Sequence, residues 1–165
     1  MLKVMRVLIL GAGFAGSYVA RLLGKRAPEL DVTLVDPRNY MLYTPLLPEA
    51  ASGTVEPRHA VVPVRVMCPK ARLLLGRATA VDLERRTVTV RPVEGDPFEE
   101  GFDTLVVALG AIARTAPVPG LVEHGVGFKT LTEAIYLRNR VLSCLEVAAE
   151  STDPERRRRD RKSVV

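Results

Sequence analysis

Two short apolar runs open the chain, Val4 to Leu10 (VMRVLIL) and Asp31 to Asp36 (DVTLVD), with a helix-length stretch between them that ends near Gly24. Strand, helix, strand is the order these patterns predict. From Arg72 the text shortens into successive strands: RLLLGRATAVD, then RTVTVRP, then a turn through Glu94 to Pro97, then FEEGFDTLVVALG. Thr87 to Val90 alternates as a half-exposed strand does, and Asp82 to Arg86 has the character of a hairpin turn. Thr104 to Ala108 is continuously apolar, which predicts a parallel strand buried on both faces. Thr130 and Glu133 have capping-box spacing ahead of apolar residues at Leu131, Ile135, Leu142 and Leu145, so a helix of about five turns is expected there. It fades by Ser151 to Pro154, a breaker cluster.

Between these regular parts, the segment from Pro37 to Thr54 mixes bulky apolar residues with Pro45, Pro48 and Gly53 and reads as an ordered, irregular excursion. A short helix is expected over 57–66, because Pro57 suits a first helical turn. The expected fold is α/β: a Rossmann-like domain over residues 1–150 with a parallel central sheet and a small antiparallel meander at about 72–103. Residues 151–165 read as a basic linker.

The junction after the first strand carries the chemistry. Gly11-Ala12-Gly13-Phe14-Ala15-Gly16 has the G-x-G-x-x-G spacing, and Asp36 closes the second strand twenty residues past Gly16. In a dinucleotide site the first glycine permits the tight turn, the second lets backbone approach a pyrophosphate, and the third lets helix and sheet pack closely. The first N–H groups of the helix then face the phosphates, and the terminal acid holds a ribose hydroxyl. A glycine-rich turn alone is only a flexible loop; strand, helix and acid in sequence make it a binding fingerprint. Leu109-Gly110-Ala111, after the later apolar strand, is a second place for close backbone approach.

Composition adjusts this picture little. The chain has 165 residues, 47% of them hydrophobic, which suits one ordinary globular core. Cys68 and Cys144 form no C-x-x-C pair and read as buried small apolar side chains. With no run of 18 apolar residues and no cleavable leader, the expectation is a soluble, cytoplasmic chain. The net charge is +5, but residues 151–165 hold six Arg or Lys against three acids and so supply +3 of it. Without interleaved aromatics that run reads as a solvated tail, and no nucleic-acid role is expected.

A fingerprint, a terminal acid, a meander and then a strand ending in A-x-G together resemble the FAD domain of two-dinucleotide-domain flavoprotein reductases. The string Asp36-Pro-Arg-Asn-Tyr-Met-Leu-Tyr-Thr-Pro-Leu-Leu-Pro-Glu-Ala-Ala-Ser-Gly-Thr-Val-Glu-Pro-Arg58 narrows the match. It resembles the type II NADH dehydrogenases, membrane-peripheral NADH:quinone oxidoreductases of the pyridine nucleotide-disulphide oxidoreductase-like fold. Phe102 to Ala111, Val118-Pro119-Gly120 and Leu137 to Leu142 extend the similarity along nearly the whole chain.

The resemblance implies FAD as cofactor, with Gly11 to Gly16 at its pyrophosphate and Asp36, followed by Pro37 and Arg38, at the adenosine ribose. It implies Thr44, Pro45 and Leu46 beside the flavin, Ala78 near the adenine, and Ala108, Leu109 and Gly110 under the middle of the cofactor. Leu109 departs from the Ala-Thr-Gly usual in relatives. NADH, the family's co-substrate, binds a second Rossmann unit, whose first strand Val164-Val165 would open. The expectation is therefore an FAD-binding portion that does not complete hydride transfer to quinone by itself, its remaining part or another chain supplying the nicotinamide site.

The fingerprint alone does not choose between FAD and NAD; the A-L-G strand and the T-P-L-L string favour FAD. Arg38 suits a 2′-phosphate, whereas Asp36 would repel one. Glu49 and His59 are the titratable residues of the irregular region, Glu49 open between a site-lining and a structural role and His59 read as structural. No catalytic acid–base residue and no metal ligand is assigned. A non-catalytic nucleotide-binding or interaction module is the alternative, as is a related flavoprotein such as a sulfide:quinone reductase.

Overall fold

The computed structural model describes residues 4–162; the expected strand start at Val164-Val165 lies outside the described residues. Contacts divide the chain into two compact units, Met1–Leu42 with Val61–Ala111, and Tyr43–Ala60 with Ile112–Val165.

In the first unit, β1 (Arg6–Leu10) is followed by α1 (Phe14–Arg26) and β2 (Asp31–Asp36). β1 and β2 pair in parallel with Val7 opposite Val32 and Ile9 opposite Leu34. Alternate residues of each strand enter different cores, because successive side chains point to opposite faces. Val7, Ile9, Val32 and Leu34 pack with Ala20 of α1 and with Val64 and Cys68. Leu8, Leu10 and Val35 pack on the other face with Val88, Val90 and Phe102. Burial on both faces is why these strands read as near-continuous apolar runs.

β5 (Arg72–Asp82), β6 (Thr87–Pro92), β7 (Phe98–Gly101) and β8 (Thr104–Val107) complete a six-stranded sheet of order β7-β6-β5-β2-β1-β8. The expected meander does not stand apart from the parallel sheet. The first residues of β5 pair in parallel with β2, up to Asp36 opposite Leu75, and from Gly76 onward the same strand pairs antiparallel with β6. Gly76 is where a Cβ would meet the Arg91 carbonyl oxygen at 2.7 Å, so the strands close up only with glycine there. The hairpin at 82–87 turns on Arg86 at φ 52, with the Arg85 N–H donating to Asp82 Oδ1 at 2.8 Å.

Several sequence expectations are corrected. β8 is parallel to β1 but is an edge strand: Val107 is 64% exposed. Its apolar run matches that of a central strand, but among the described residues only β1 pairs with it. α1 continues past Gly24 to Arg26, where the Ala27 N–H caps the Leu23 carbonyl. The helix expected over 57–66 is instead a 3₁₀ turn Pro57–Ala60, a strand β4 (Val61–Pro63) and a single turn α3 (Val64–Met67). Pro63 keeps Val62 out of the helical region, and two consecutive β-branched residues pair readily with β3 (Tyr40–Leu42).

The second unit contains a 3₁₀ turn Thr44–Leu46, α2 (Leu47–Ser52), α4 (Leu121–His124), α5 (Leu131–Glu150) and α6 (Pro154–Lys162). The expected capping box is present: Thr130 Oγ1 accepts from the Glu133 N–H, and the Glu133 carboxylate accepts from the Thr130 N–H. The Lys129 N–H, the Thr130 hydroxyl and the Thr130 N–H, all donating to the Glu133 carboxylate, hold that carboxyl below its ordinary value. α5 packs against α2 and α6. It buries Ala134 and Ala148, whereas Leu142 and Leu145, expected on its core face, are 47% and 46% exposed. Small residues let the helices approach, while the two leucines stay half-exposed. The basic run is helical, because Pro154 opens a new helix as readily as it ends the old one.

Candidate functional site

The glycine loop is held from three sides. The Gly11 N–H donates to the Val35 carbonyl at 2.8 Å, so the loop stays tied to β2 after β1 has ended. The Ala12 N–H donates to Asp36 Oδ2 at 2.8 Å, and the Arg38 N–H donates to Asp36 Oδ1 at 2.8 Å. Asp36 is 4% exposed, so these charge-assisted bonds offset the cost of burying its carboxylate. Arg38 Nε approaches the same oxygen at 3.4 Å. From below, Ser17 Oγ donates to the Ala12 carbonyl at 2.8 Å, and Cys68 Sγ donates to the Ser17 carbonyl at 3.3 Å. Burial pushes the Cys68 thiol above its ordinary value although the Arg21 guanidinium pulls it down, so it remains a donor.

The three glycines do different work here. Gly11 has φ +96, and a Cβ on it would lie 2.4 Å from the Ala108 carbonyl oxygen. It therefore provides the turn and also admits the end of β8, whose Ala108 N–H donates to the Leu10 carbonyl at 2.8 Å. A Cβ on Gly16 would lie 1.8 Å from the Gly11 carbonyl oxygen, which no side chain can satisfy. Nothing lies within 4 Å of a Cβ on Gly13. That glycine leaves open space at the N-terminus of α1, where no side chain caps the helix and no acid occupies the first turn. The arrangement suits a negative group, since the helix dipole is positive there.

Gly11, Ala12, Gly13, Gly16, Asp36 and Ala108 are thus brought together, with Arg38 on the Asp36 carboxylate. Phe14 is 49% exposed and Ala15 is also exposed, both on the first turn of α1; Pro37 is exposed after β2. Leu109 is 65% exposed, and Gly110 has φ +72 with nothing near a Cβ. Ala78 lies three residues beyond the Asp36–Leu75 pair on β5, about 10 Å along the strand. Thr44, Pro45 and Leu46 form the 3₁₀ turn of the second unit, with Thr44 and Pro45 exposed. Glu49 has a buried Oε2 that meets no hydrogen-bond partner among the described residues. His59 is exposed. Ser17 and Cys68 were missed from the sequence; no local pattern marks a serine as a brace for backbone five residues earlier.

A parallel βαβ unit with an uncapped, glycine-lined helix start and a buried acid closing its second strand defines a dinucleotide-binding protein of the Rossmann class. More narrowly, the chain belongs to the pyridine nucleotide-disulphide oxidoreductase family, whose profile matches residues 5–151. It is 34% identical over 170 residues to the external alternative NADH-ubiquinone oxidoreductase of Yarrowia lipolytica mitochondria, covering 96% of this chain and 29% of that protein. It is 37% identical over 155 residues to the type II NADH:quinone oxidoreductase of Mycobacterium tuberculosis, covering 92% and 33%. The structure of NDH2 from Plasmodium falciparum superposes with a TM-score of 0.80 at 27% identity, covering 92% of this chain and 31% of that one. The chain therefore spans about a third or less of the length of these relatives.

Proposed function

We propose that this chain is the FAD-binding portion of an NADH:quinone oxidoreductase and does not turn over alone. Gly11 to Gly16 hold the pyrophosphate of FAD, Asp36 the adenosine ribose, and Ala108, Leu109 and Gly110 pass beside the middle of the cofactor. Pro37 and Arg38 border the ribose site, Ala78 lies toward the adenine, and Thr44, Pro45 and Leu46 border the flavin. Bound FAD supplies a two-electron acceptor that takes hydride from NADH and passes the electrons to quinone. The protein residues bind and orient; none is assigned proton transfer.

The observation that carries this reading is the open space at Gly13, beside the buried Asp36 and at the uncapped start of α1. It fits a pyrophosphate, because backbone N–H groups and a dipole rather than side chains face the opening. The similarity to quinone-reducing relatives over one third of their length supports placing the nicotinamide site in a further part of the protein or in another chain. No helix among the described residues is long and apolar enough to cross a membrane. In this reading the longer protein lies peripherally on the cytoplasmic face of a membrane.

The test is an equilibrium titration of the purified chain with FAD, read by flavin fluorescence, followed by addition of NADH. Weak FAD binding that Gly13→Val abolishes without unfolding the chain is expected, with no bleaching of the flavin by NADH. Bleaching by this chain alone would sink the portion reading, and FAD binding indifferent to Gly13→Val would sink the site.

A further inference from the structure

The last two turns of α1 and the segment running from α3 into the following turn enclose an open cleft of about 600 Å³. That volume lies within the range of small-molecule sites. Its floor is apolar: Ala20 and Cys68 are each 2% exposed and belong to the core, and Met67 packs against them. Val66, on the rim, is 73% exposed. Around this surface stand Arg21, Lys25 and Lys70, and no acid lines the cleft.

Like most lysines and arginines of the chain, these three cations have no carboxylate partner among the described residues. Arg6, Arg38, Arg58, Arg72 and Arg85 each pair with a carboxylate. Lys25 sits in the last turn of α1, where the helix dipole alone accounts for a cation. Lys70, whose stem lies against Gly24, comes to the same C-terminal end of α1, whereas Arg21 lies a turn earlier, beyond the reach of the dipole. Gly24 is the independent sign of construction. A glycine inside a helix costs about 1 kcal/mol relative to alanine. Here a Cβ would meet the Lys70 Cβ at 3.2 Å, so glycine lets the Lys70 stem lie across α1 and brings its charge to the cleft.

We propose that this cleft is a second ligand site, separate from the glycine loop, for a soluble organic anion: a phosphate, sulfonate or carboxylate carried on an apolar body. The anionic group meets Arg21, Lys25 and Lys70 at the rim while the body covers Met67 and Val66, so both halves of the ligand are needed. Bare phosphate finds only solvated surface cations, and a neutral apolar molecule leaves the three charges uncompensated.

The probe is 2-naphthyl phosphate, titrated into the isotope-labelled full chain and followed by amide chemical shifts, with inorganic phosphate and 2-naphthol as separate titrants. Saturable shifts at the amides of Ala20, Gly24, Met67 and Lys70 are expected, with each half-ligand at least about tenfold weaker. Lys70→Glu and Arg21→Glu each lower the affinity by at least about tenfold, whereas Arg85→Gln, which also removes a positive charge, leaves it unchanged. Lys70→Gln, a milder change, lowers it severalfold and guards against a variant that fails to fold. Shifts spread without saturation over the basic surface, or equal affinities across these variants, overturn the proposal. FAD titration of Lys70→Glu is expected to match the parent chain, so a failure here leaves the glycine-loop reading untouched.

Discussion

β1 and β8 lie side by side in one sheet, run in the same direction, and are written in almost the same apolar alphabet. Ile9 of β1 is fully buried, whereas Val107, next to its register partner, is 64% exposed. The loops that follow diverge in the same way. Gly11 and Gly16 are pressed against backbone, while Gly110 meets nothing within 4 Å. A central strand is specified by what lies on both sides of it, and an apolar run reports only the composition of the strand itself.

The sharpest way to break this comparison is to cut into the central strand. Ile9→Ala is expected to cost about 2–5 kcal/mol, from lost transfer energy and a cavity that a two-sided core cannot close. Urea denaturation checks it; a loss under about 1 kcal/mol would mean that the core around β1 is loose. Gly16→Ala follows at about 2–4 kcal/mol, because its Cβ lands on the Gly11 carbonyl and α1 must retreat from the sheet. Gly13→Ala, whose Cβ would meet nothing within 4 Å, is expected to stay within about 0.5 kcal/mol of the parent while weakening FAD binding. Equal destabilisation by the two alanines would erase the distinction between a packing glycine and a ligand-facing one.

A smaller effect is expected at the start of α5. Thr130→Ala removes the cap and costs about 1 kcal/mol. Glu133 is held below its ordinary value of 4.5, chiefly by the Lys129 N–H. The unfolded chain therefore takes up this proton first as pH falls. The contribution of Glu133 is fully present above 4.5 and is lost as pH drops through its lower folded value. Glu133→Gln should flatten that part of the stability profile in acid; an unchanged acid slope would count against the capping box. Smallest of all, Val107→Thr at the sheet edge is expected to change stability by less than about 0.5 kcal/mol. A large loss there would show that β8 is covered in solution.

Much of the fold was legible because its signals are local. The β1-α1-β2 order follows from apolar runs and glycine spacing, and the helix start at Thr130 follows from two side chains three residues apart. The irregular region was harder. Val61 and Val62 become a strand because β3 lies alongside, and nothing within 57–66 names that partner. The three glycines and Asp36, which the structure brings together, are picked out by spacing. The brace running from Cys68 through Ser17 to Ala12 is not, because its parts lie 51 and 5 residues apart.

What the amino-acid order alone determined was the set of local conformations: where the chain turns, which segments extend, which coil, and that a glycine loop followed by an acid is built for a dinucleotide. Tertiary structure decided exposure and pairing: that β8 forms an edge, that Leu142 and Leu145 stay half-exposed, that Gly11 serves Ala108 as well as its own turn, and that three cations gather over one apolar cleft. Backbone dihedrals and side-chain periodicity are set by near neighbours along the chain, whereas burial and charge compensation depend on atoms that only folding brings within reach.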